Sequence, residues 1–268
     1  MDDLFKKWCH KIKVREEDLT AVDVERSLAY AEDLLQGLAK LRSFPQGVSI
    51  FGSARLSEKS PYYKSARKLG GLLAQHGHPV VTGGGHGIMA AASHGSYEYG
   101  GRALGLNIEL PHEQTLNQYT TDNLEFRYFF ARKVMLTMAA KVYVFYPGGF
   151  GTLDEFFDIL TLMQTGKMPR MPIFLIGKSY WRPLEKFMAT RLEANNLISK
   201  GDRQIYRVTD NIMDVVKAAE KIGHHKIDEN VYDNMKLAKA VEKKEKQPTA
   251  EAEQKKTSQR IKIKSVTG

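Results

Sequence analysis

The middle of the chain alternates short apolar runs with stretches in which apolar residues recur every three or four positions. The runs predict strands, and they cover residues 48–51, 79–82, 103–108, 141–146, 172–176 and 204–208. The stretches between them predict helices over residues 62–76, 87–99, 130–140, 152–166, 180–195 and 210–223. Several runs are apolar throughout, which is typical of strands covered on both faces. The pattern therefore predicts an α/β fold, a doubly wound parallel sheet with helices on both faces.

The two ends of the chain have patterns of their own. Residues 16–41 place apolar side chains at helical spacing, which predicts a long amphipathic helix that stops near Pro45. Towards the other end, no large apolar residue lies between Val241 and Ile261, and such a Lys- and Glu-rich stretch is typical of disorder. We therefore predict three parts, which are an N-terminal helical extension (1–45), a nucleotide-binding domain (46–223) and a largely disordered tail (224–268).

Composition narrows the cellular location. The chain has 268 residues and a mean hydropathy of -0.40. No run approaches the roughly 18 to 20 apolar residues of a membrane helix. The first residues are charged and lack the apolar core of a signal peptide, and the one cysteine, Cys9, has no partner for a disulfide. These features predict a cytoplasmic protein with no membrane partner.

The positive charge raises the question of a nucleic-acid partner. The net charge is +9 and the isoelectric point about 9.4. Because the charge is spread thinly and includes a Lys-rich tail, it favours a mildly basic surface over a nucleic-acid groove. We expect no nucleic-acid partner. The alternative, binding through the tail, predicts a steep dependence on salt.

Glycine-rich loops follow three of the predicted strands. They lie at residues 51–55, 82–89 and 147–152. The carboxyl ends of parallel strands meet at one edge of a sheet, where ligands bind in folds of this class. Three such loops at one edge favour a nucleotide ligand.

Familiar cofactor and metal motifs do not fit these loops. The GxGxxG fingerprint needs a glycine where Ile88 stands, and a Walker A loop ending in Gly177-Lys178-Ser179 needs one at Pro172. Four histidines lack an acidic or cysteine partner at ligand spacing, namely His76, His78, His224 and His225. We therefore predict no metal and no cofactor.

The segment Pro-Gly-Gly-Phe-Gly-Thr-Leu-Asp-Glu, residues 147–155, combines glycines with a helix start. Glycines let a backbone approach a ligand closely. Amides from Gly151 onward, together with the Thr152 hydroxyl, would face outward at a helix N-terminus and form a phosphate cradle. A structural alternative stays open, because Thr152 to Glu155 also fits a capping box in which Glu155 returns to the Thr152 amide.

The same segment resembles the PGGxGTxxE signature of the LONELY GUY family, whose members are often labelled lysine decarboxylase-like. Residues 83–89 resemble that family's GGG-x-x-G-L-M loop, and Arg132-Lys133 with Leu136 resembles its RK-x-x-M helix. The resemblance extends over residues 48–198, with the motifs in the same order and at the same separation. It implies a Rossmann-like fold and phosphoribohydrolase activity on nucleoside 5′-monophosphates, such as AMP or cytokinin ribotides. No lysine has the setting of a pyridoxal phosphate site.

The resemblance also implies which residues form the site. The family's catalytic pair falls on Arg132 and Glu155. The substrate-binding residues that it implies are Gly52, Ser53, Gly83, Gly84, Gly85, Met89, Glu113, Lys133, Gly148, Gly149, Phe150, Gly151, Thr152, Leu153, Asp154 and Thr161. Taken by helical spacing alone, Leu153, Phe156, Phe157, Leu160 and Met163 favour a core or subunit interface over a base pocket.

One departure from the family concerns the base. Phe129, Phe130 and Ala131 precede Arg132, where plant-type members have Met-His followed by Glu or Gln, and this leaves the base preference open. The family's sites are commonly completed across a dimer, so a homodimer or higher homo-oligomer is expected. The alternative function is a carrier of a nucleotide-like cofactor, as in the similar molybdenum-cofactor carriers. A carrier would need the phosphate loops but not the pair of Arg132 and Glu155.

Overall fold

The structure is a computed structural model that describes residues 19–45, 47–110 and 117–222. The strands are β1 (Gly47–Phe51), β2 (Val80–Thr82), β3 (Ala103–Ile108), β4 (Asp122–Phe126), β5 (Ala140–Phe145), β6 (Ile173–Ile176) and β7 (Tyr206–Thr209). The α-helices are α1 (Ala21–Ser43), α2 (Pro61–Gln75), α3 (Ile88–Glu98), α4 (Phe129–Met138), α5 (Phe150–Gln164), α6 (Lys178–Phe187) and α7 (Met213–Ile222). A π-helical turn, Met188–Glu193, continues α6.

The strands form one sheet in the order β4-β3-β2-β1-β5-β6-β7, and every neighbouring pair is parallel. This confirms the predicted Rossmann-like α/β class. The chain builds the sheet outward from β1 to β4 and then returns to place β5 on the other side of β1. Such a reversal opens a crevice at the carboxyl ends of the two central strands. The loops after β1 and β5 are therefore the expected place for a ligand.

The pattern of apolar residues did not predict β4. Asp122, Asn123 and Glu125 have low strand propensity, and the strand lies at the edge of the sheet with one side chain in two exposed to solvent. Its other side chains face inward, where Leu124 pairs with Leu106 and Phe126 pairs with Ile108. Tertiary pairing outweighs local preference here.

Two apolar layers cover the faces of the sheet. On one face, α1, α4, α5 and α6 contribute buried side chains that include Leu41, Met135, Phe156 and Trp181. On the other face, α2, α3 and α7 contribute Leu69, Ala91 and Val215. The helices thus hold the sheet from both sides and leave the loops at its carboxyl edge to form the site.

The predicted N-terminal helix is present as α1. Its first turn is closed by a capping box, in which Thr20 Oγ1 accepts from the Asp23 amide at 3.2 Å and the Asp23 carboxylate accepts from the Thr20 amide at 2.9 Å. The predicted tail, 224–268, lies outside the described residues. Among the helices that the structure describes, none is both long and apolar enough to cross a membrane. The cytoplasmic location stays a prediction.

Candidate functional site

The three glycine-rich loops meet at Ser53, directly after β1. The Ser53 amide donates to Pro147 O at 3.0 Å, and the Ser53 carbonyl accepts from the Ile88 amide at 3.0 Å. Gly52, beside it, has no room for a side chain because a Cβ would overlap Ile88. The loops predicted to lie at one edge are therefore joined by backbone hydrogen bonds at the β1–β5 crevice.

The loop after β2 turns sharply to reach Ser53. Gly84 and Gly87 have φ values of +71° and +60°, which favour glycine. A Cβ at Gly84 would overlap the side-chain amide group of Asn107, and a Cβ at Gly87 would overlap Ser53 O. The Met89 side chain lies against Gly83 and Gly85 from the first turn of α3. Four of the predicted substrate-binding residues, Gly83, Gly84, Gly85 and Met89, thus lie together in the loop after β2 and the first turn of α3.

Helix α5 begins at Phe150, two residues earlier than predicted, with Gly149 as its N-cap. The amides of Thr152 and Leu153 both donate to Gly149 O at 3.1 Å. The amides of Phe150 and Gly151 have no partner among the described residues, so they are available to an anion at this helix N-terminus. The capping-box alternative is wrong, because Thr152 is the third helical residue and its amide is bound to Gly149 rather than to Glu155.

The glycines at this helix start differ in their surroundings. A Cβ at Gly148 would overlap Thr152 Oγ1, whereas a Cβ at Gly149 or Gly151 would meet no atom within 4 Å. The Tyr180 hydroxyl donates to Gly148 O at 2.6 Å and holds the loop from α6. The loop is therefore fixed at Gly148 and open at Gly149 and Gly151, as close approach of a ligand to the backbone requires.

Arg132 extends from α4 into the crevice. Its Nε donates to Leu106 O at 2.7 Å and its Nη2 to Gly83 O at 3.2 Å. Burial lowers the pKa of Arg132, and the charge of Glu155 opposes that effect. Two backbone carbonyls thus hold the guanidinium in one orientation beside the loop after β2.

Glu155 lies in the second turn of α5 and is buried, with 7% of its surface exposed. Its Oε2 has no hydrogen-bond partner in the described part of the chain. Burial raises the pKa of Glu155 to about 7, while the charges of Lys133 and Arg132 act in the opposite direction. A buried carboxyl group with an unused oxygen and a pKa near neutrality is typical of a functional site.

Lys133 joins the two helices that carry this pair. Its Nζ donates to Asp154 Oδ1 at 3.1 Å and lies 3.6 Å from Asp158 Oδ2. Burial alone would lower the pKa of Lys133, but the hydrogen bond to Asp154 and the charges of Asp158 and Glu155 outweigh it and raise the pKa. Sequence reasoning missed Asp158, although its spacing of four from Asp154 places both on one helix face.

The side chains of the remaining predicted residues have different surroundings. Leu153 packs against the core beneath α5, as its helical spacing also indicated, whereas Phe150 is exposed. Thr161 lies about 16 Å beyond Phe150 along α5, and its hydroxyl donates to Phe157 O at 2.6 Å. Glu113 lies outside the described residues. Of the other residues noted by spacing, Phe156 and Met163 are buried, Leu160 is partly buried, and Phe157 is exposed.

A cavity of about 530 Å³ lies beside the crevice, between the loops after β1 and β2. Its lining includes Ala54, Tyr63, His86, Gly87 and Tyr119. In the described ranges, no three His, Cys, Asp or Glu side chains lie close enough together to hold a metal ion.

The sheet order and the loops at its central crevice define the chain as a Rossmann-like α/β protein. Residues 89–219 match a family model described as "possible lysine decarboxylase". The chain is 25% identical over 155 residues to a cytokinin riboside 5′-monophosphate phosphoribohydrolase of Rhodococcoides fascians. The aligned region covers 56% of this chain and 77% of the relative. It is 26% identical over 178 residues to the phosphoribohydrolase LOG7 of Arabidopsis thaliana, with coverage of 65% and 81%. The chain is therefore similar in sequence to phosphoribohydrolases of the LONELY GUY family, as its motifs predict.

A solved structure of the same fold extends the comparison. The molybdenum cofactor carrier protein of Chlamydomonas reinhardtii superimposes with a TM-score of 0.50 at 23% identity and covers 66% of this chain and 98% of its own. This similarity concerns the fold alone.

Proposed function

We propose that this chain is a phosphoribohydrolase that hydrolyses the N-ribosidic bond of nucleoside 5′-monophosphates to free base and ribose 5-phosphate. The observation that carries the proposal is the buried Glu155 carboxyl group. It lies in the second turn of α5, one turn after the free amides at the start of that helix, and the charge of Arg132 lowers its pKa. Phosphate binding and a charged pair are both needed for this reaction. The start of α5 supplies the free amides and Glu155, and α4 supplies Arg132.

The reaction requires stabilisation of a positively charged sugar. Cleavage of a glycosidic bond passes through an oxocarbenium-like state at the anomeric carbon. The bond from C1′ to the base nitrogen breaks with its electron pair on the base, water adds to C1′, and the base takes up a proton. A carboxylate beside the ribose stabilises that state and orients the attacking water. With a pKa of about 7, Glu155 is about half ionised at pH 7 and largely ionised at mildly alkaline pH, where it can accept a proton from water.

Arg132 acts by charge rather than by proton transfer in this scheme. A guanidinium stays protonated in proteins, so it serves as a fixed donor rather than a general acid. Its hydrogen bonds to Leu106 O and Gly83 O orient it before substrate binds. We assign Arg132 a hydrogen bond to the departing base or to the phosphate, where preorganised positive charge lowers the barrier.

The phosphate accounts for the choice of monophosphates over nucleosides. The free amides of Phe150 and Gly151, with Thr152 beside them, suit the dianionic 5′-phosphate at the helix N-terminus. The named activity of the relatives in Rhodococcoides and Arabidopsis supports a cytokinin riboside 5′-monophosphate as substrate. Phe129 and Phe130, which are exposed at the start of α4, are residues to vary when base preference is mapped.

The test is incubation of the purified protein with a panel of nucleoside 5′-monophosphates and the matching nucleosides, with free base followed by chromatography. We expect release from monophosphates only, and a loss of at least about 100-fold in Glu155→Gln. Glu220→Gln, on α7, is the matched control, because it makes the same chemical change on the far side of the sheet. Tight nucleotide binding without base release would overturn the proposal in favour of a carrier.

We further propose that the protein is a homo-oligomer. Five exposed large apolar side chains lie on α4 and α5, namely Phe129, Phe130, Val134, Phe150 and Phe157. Contiguous exposed apolar groups are typical of protein interfaces. Analytical ultracentrifugation of the whole protein tests this, and a monomer at micromolar concentration would contradict it.

A further inference from the structure

Asp33, on α1, contacts the backbone where α4 begins. It is buried, with 3% of its surface exposed, although it is a carboxylate. Its Oδ2 accepts from the amides of Arg127 and Tyr128 at 2.9 and 3.1 Å, and its Oδ1 accepts from Arg127 Nε at 2.9 Å. Tyr128 is the N-cap of α4, and that helix has no side-chain cap from its own segment. Asp33 therefore binds the amides of this N-cap residue and of the residue before it from a different helix.

Other contacts close the same junction from α1. Arg127 Nη2 donates to Ala29 O at 3.1 Å and to Glu32 at 2.7 Å. The Tyr30 ring meets the rings of Tyr128 and Phe130 edge to face, with centroids 4.5 and 4.9 Å apart. A negative carboxylate near the positive end of a helix dipole adds to this anchoring. Polar and aromatic contacts thus attach the turn before α4 to α1.

One further hydrogen bond connects these contacts with Arg132 of the proposed catalytic pair. The Arg132 amide donates to Tyr128 O at 3.2 Å, which closes the first turn of α4. Asp33 fixes the amide of Tyr128, and the carbonyl of the same residue fixes the backbone of Arg132. A change in the turn would therefore move Arg132 relative to Glu155, which lies on a different helix.

We propose that Asp33 is a positioning residue for the site, and this rests on the proposed function. It acts through the start of α4 and touches no reacting atom. A purely structural role would instead make Asp33 one of several contacts that attach α1 to the domain. Lys40 offers the matched comparison, because its Nζ donates to Asp122 Oδ1 at 2.8 Å and so attaches α1 to β4 without contacting α4.

The experiment compares Asp33→Ala, Asp33→Asn and Lys40→Met in the full chain, with rates expressed per folded molecule. We expect kcat in Asp33→Ala to fall on the order of 10- to 100-fold, since small displacements of a catalytic group cost that much. We expect KM for the monophosphate to change little, because the amides of Phe150 and Gly151 lie on α5. Asp33→Asn retains an oxygen for the two amides and should recover part of kcat. Lys40→Met should lose stability but not kcat.

Wild-type kcat in folded Asp33→Ala, or an equal loss in Lys40→Met, would overturn the proposal. Amide hydrogen exchange over residues 124–136 gives a second measurement that does not depend on activity. Faster exchange at the start of α4 in Asp33→Ala, but not in Lys40→Met, supports positioning by Asp33. The same exchange in both variants contradicts it. If the wild-type protein releases no base, the proposed function fails, and the exchange experiment still tests Asp33.

Discussion

Lys133 on α4 donates a hydrogen bond of 3.1 Å to Asp154 on α5, and each is the sequence neighbour of one member of the proposed catalytic pair. The contact therefore ties the helix that carries Arg132 to the turn that carries Glu155. It also sets the charge around the buried carboxyl group. Lys133 lowers the pKa of Glu155, and Asp154 and Asp158 raise it.

Removal of the Lys133 charge should shift the pH dependence of the reaction upward. The ionised form of Glu155 is the active one in our scheme, so kcat/KM rises with pH through its pKa of about 7. Lys133→Met removes the charge that lowers the pKa of Glu155 most. That pKa should therefore rise by roughly 1 unit, which is the effect that one nearby charge has on a carboxyl group. The measurement is a pH profile of kcat/KM with a monophosphate substrate.

Asp158→Asn is the control of opposite sign. It removes a negative charge that raises the pKa of Glu155, so the same limb of the profile should move to lower pH. Shifts in the same direction for the two variants would show that the limb does not belong to Glu155.

Glu155→Gln should stabilise the protein at alkaline pH. The carboxyl group has a pKa near 4.5 when unfolded and about 7 when folded, so the folded state binds an extra proton between these values. Stability from this group is fully present below about pH 4.5 and is lost as pH rises through about 7. At pH 8 the difference amounts to roughly 3 kcal/mol, and Gln, which does not titrate, avoids it.

The measurement is thermal or urea unfolding of wild type and Glu155→Gln at pH 5 and pH 8. The stability gained by the variant should be several times larger at pH 8. An equal difference at both pH values would mean that Glu155 titrates normally, and the proposed pKa near neutrality would be wrong.

The sequence predicts the fold and the position of the loops better than it predicts the contacts within them. The strands that carry the site are buried throughout and mostly apolar, so their pattern predicts them. In contrast, β4 depends on pairing with β3, and its polar residues conceal it. The helix start shows the same limit. Thr152 to Glu155 matches a capping box by spacing, but the Gly149 carbonyl accepts from the amides of Thr152 and Leu153, and the helix begins at Phe150.

Contacts between distant segments leave no local signal at all. Asp33 and Arg127 are far apart along the chain, and each by itself is an ordinary charged residue of an amphipathic helix or a turn. The burial that raises the pKa of Glu155 is likewise a property of the packed helices, although the family resemblance selects that residue. Pattern and resemblance together identify the residues, and only the fold supplies their environment.

Gly148 and Gly149 should respond differently to alanine. In Gly148→Ala the new Cβ overlaps Thr152 Oγ1 and lies 3.0 Å from the Ser53 amide, so the variant should lose about 1–3 kcal/mol of stability. Gly149 has an ordinary φ of −92° and open space around it, so Gly149→Ala should fold normally. Its added methyl group lies where a phosphate would approach, and we expect nucleotide affinity to fall about 10-fold, or 1.4 kcal/mol.

Unfolding experiments and calorimetric titration with ribose 5-phosphate separate the two effects. Unchanged affinity in a stable Gly149→Ala would remove the start of α5 from the phosphate site.

Arg132→Lys should be nearly as damaging as Arg132→Ala. The guanidinium uses two nitrogens to reach Leu106 O and Gly83 O, and a lysine ammonium is a single point on a flexible stem. Lysine keeps the charge but loses the fixed orientation on which preorganised stabilisation depends. We expect kcat to fall about 100-fold or more in both variants, with a smaller change in KM. Arg207→Lys, at an exposed ion pair with Asp214, provides the control for the same exchange outside the site. If Arg132→Lys retained most of its kcat, positive charge alone would be sufficient, and the orientation given by the two carbonyls would have no part in the reaction.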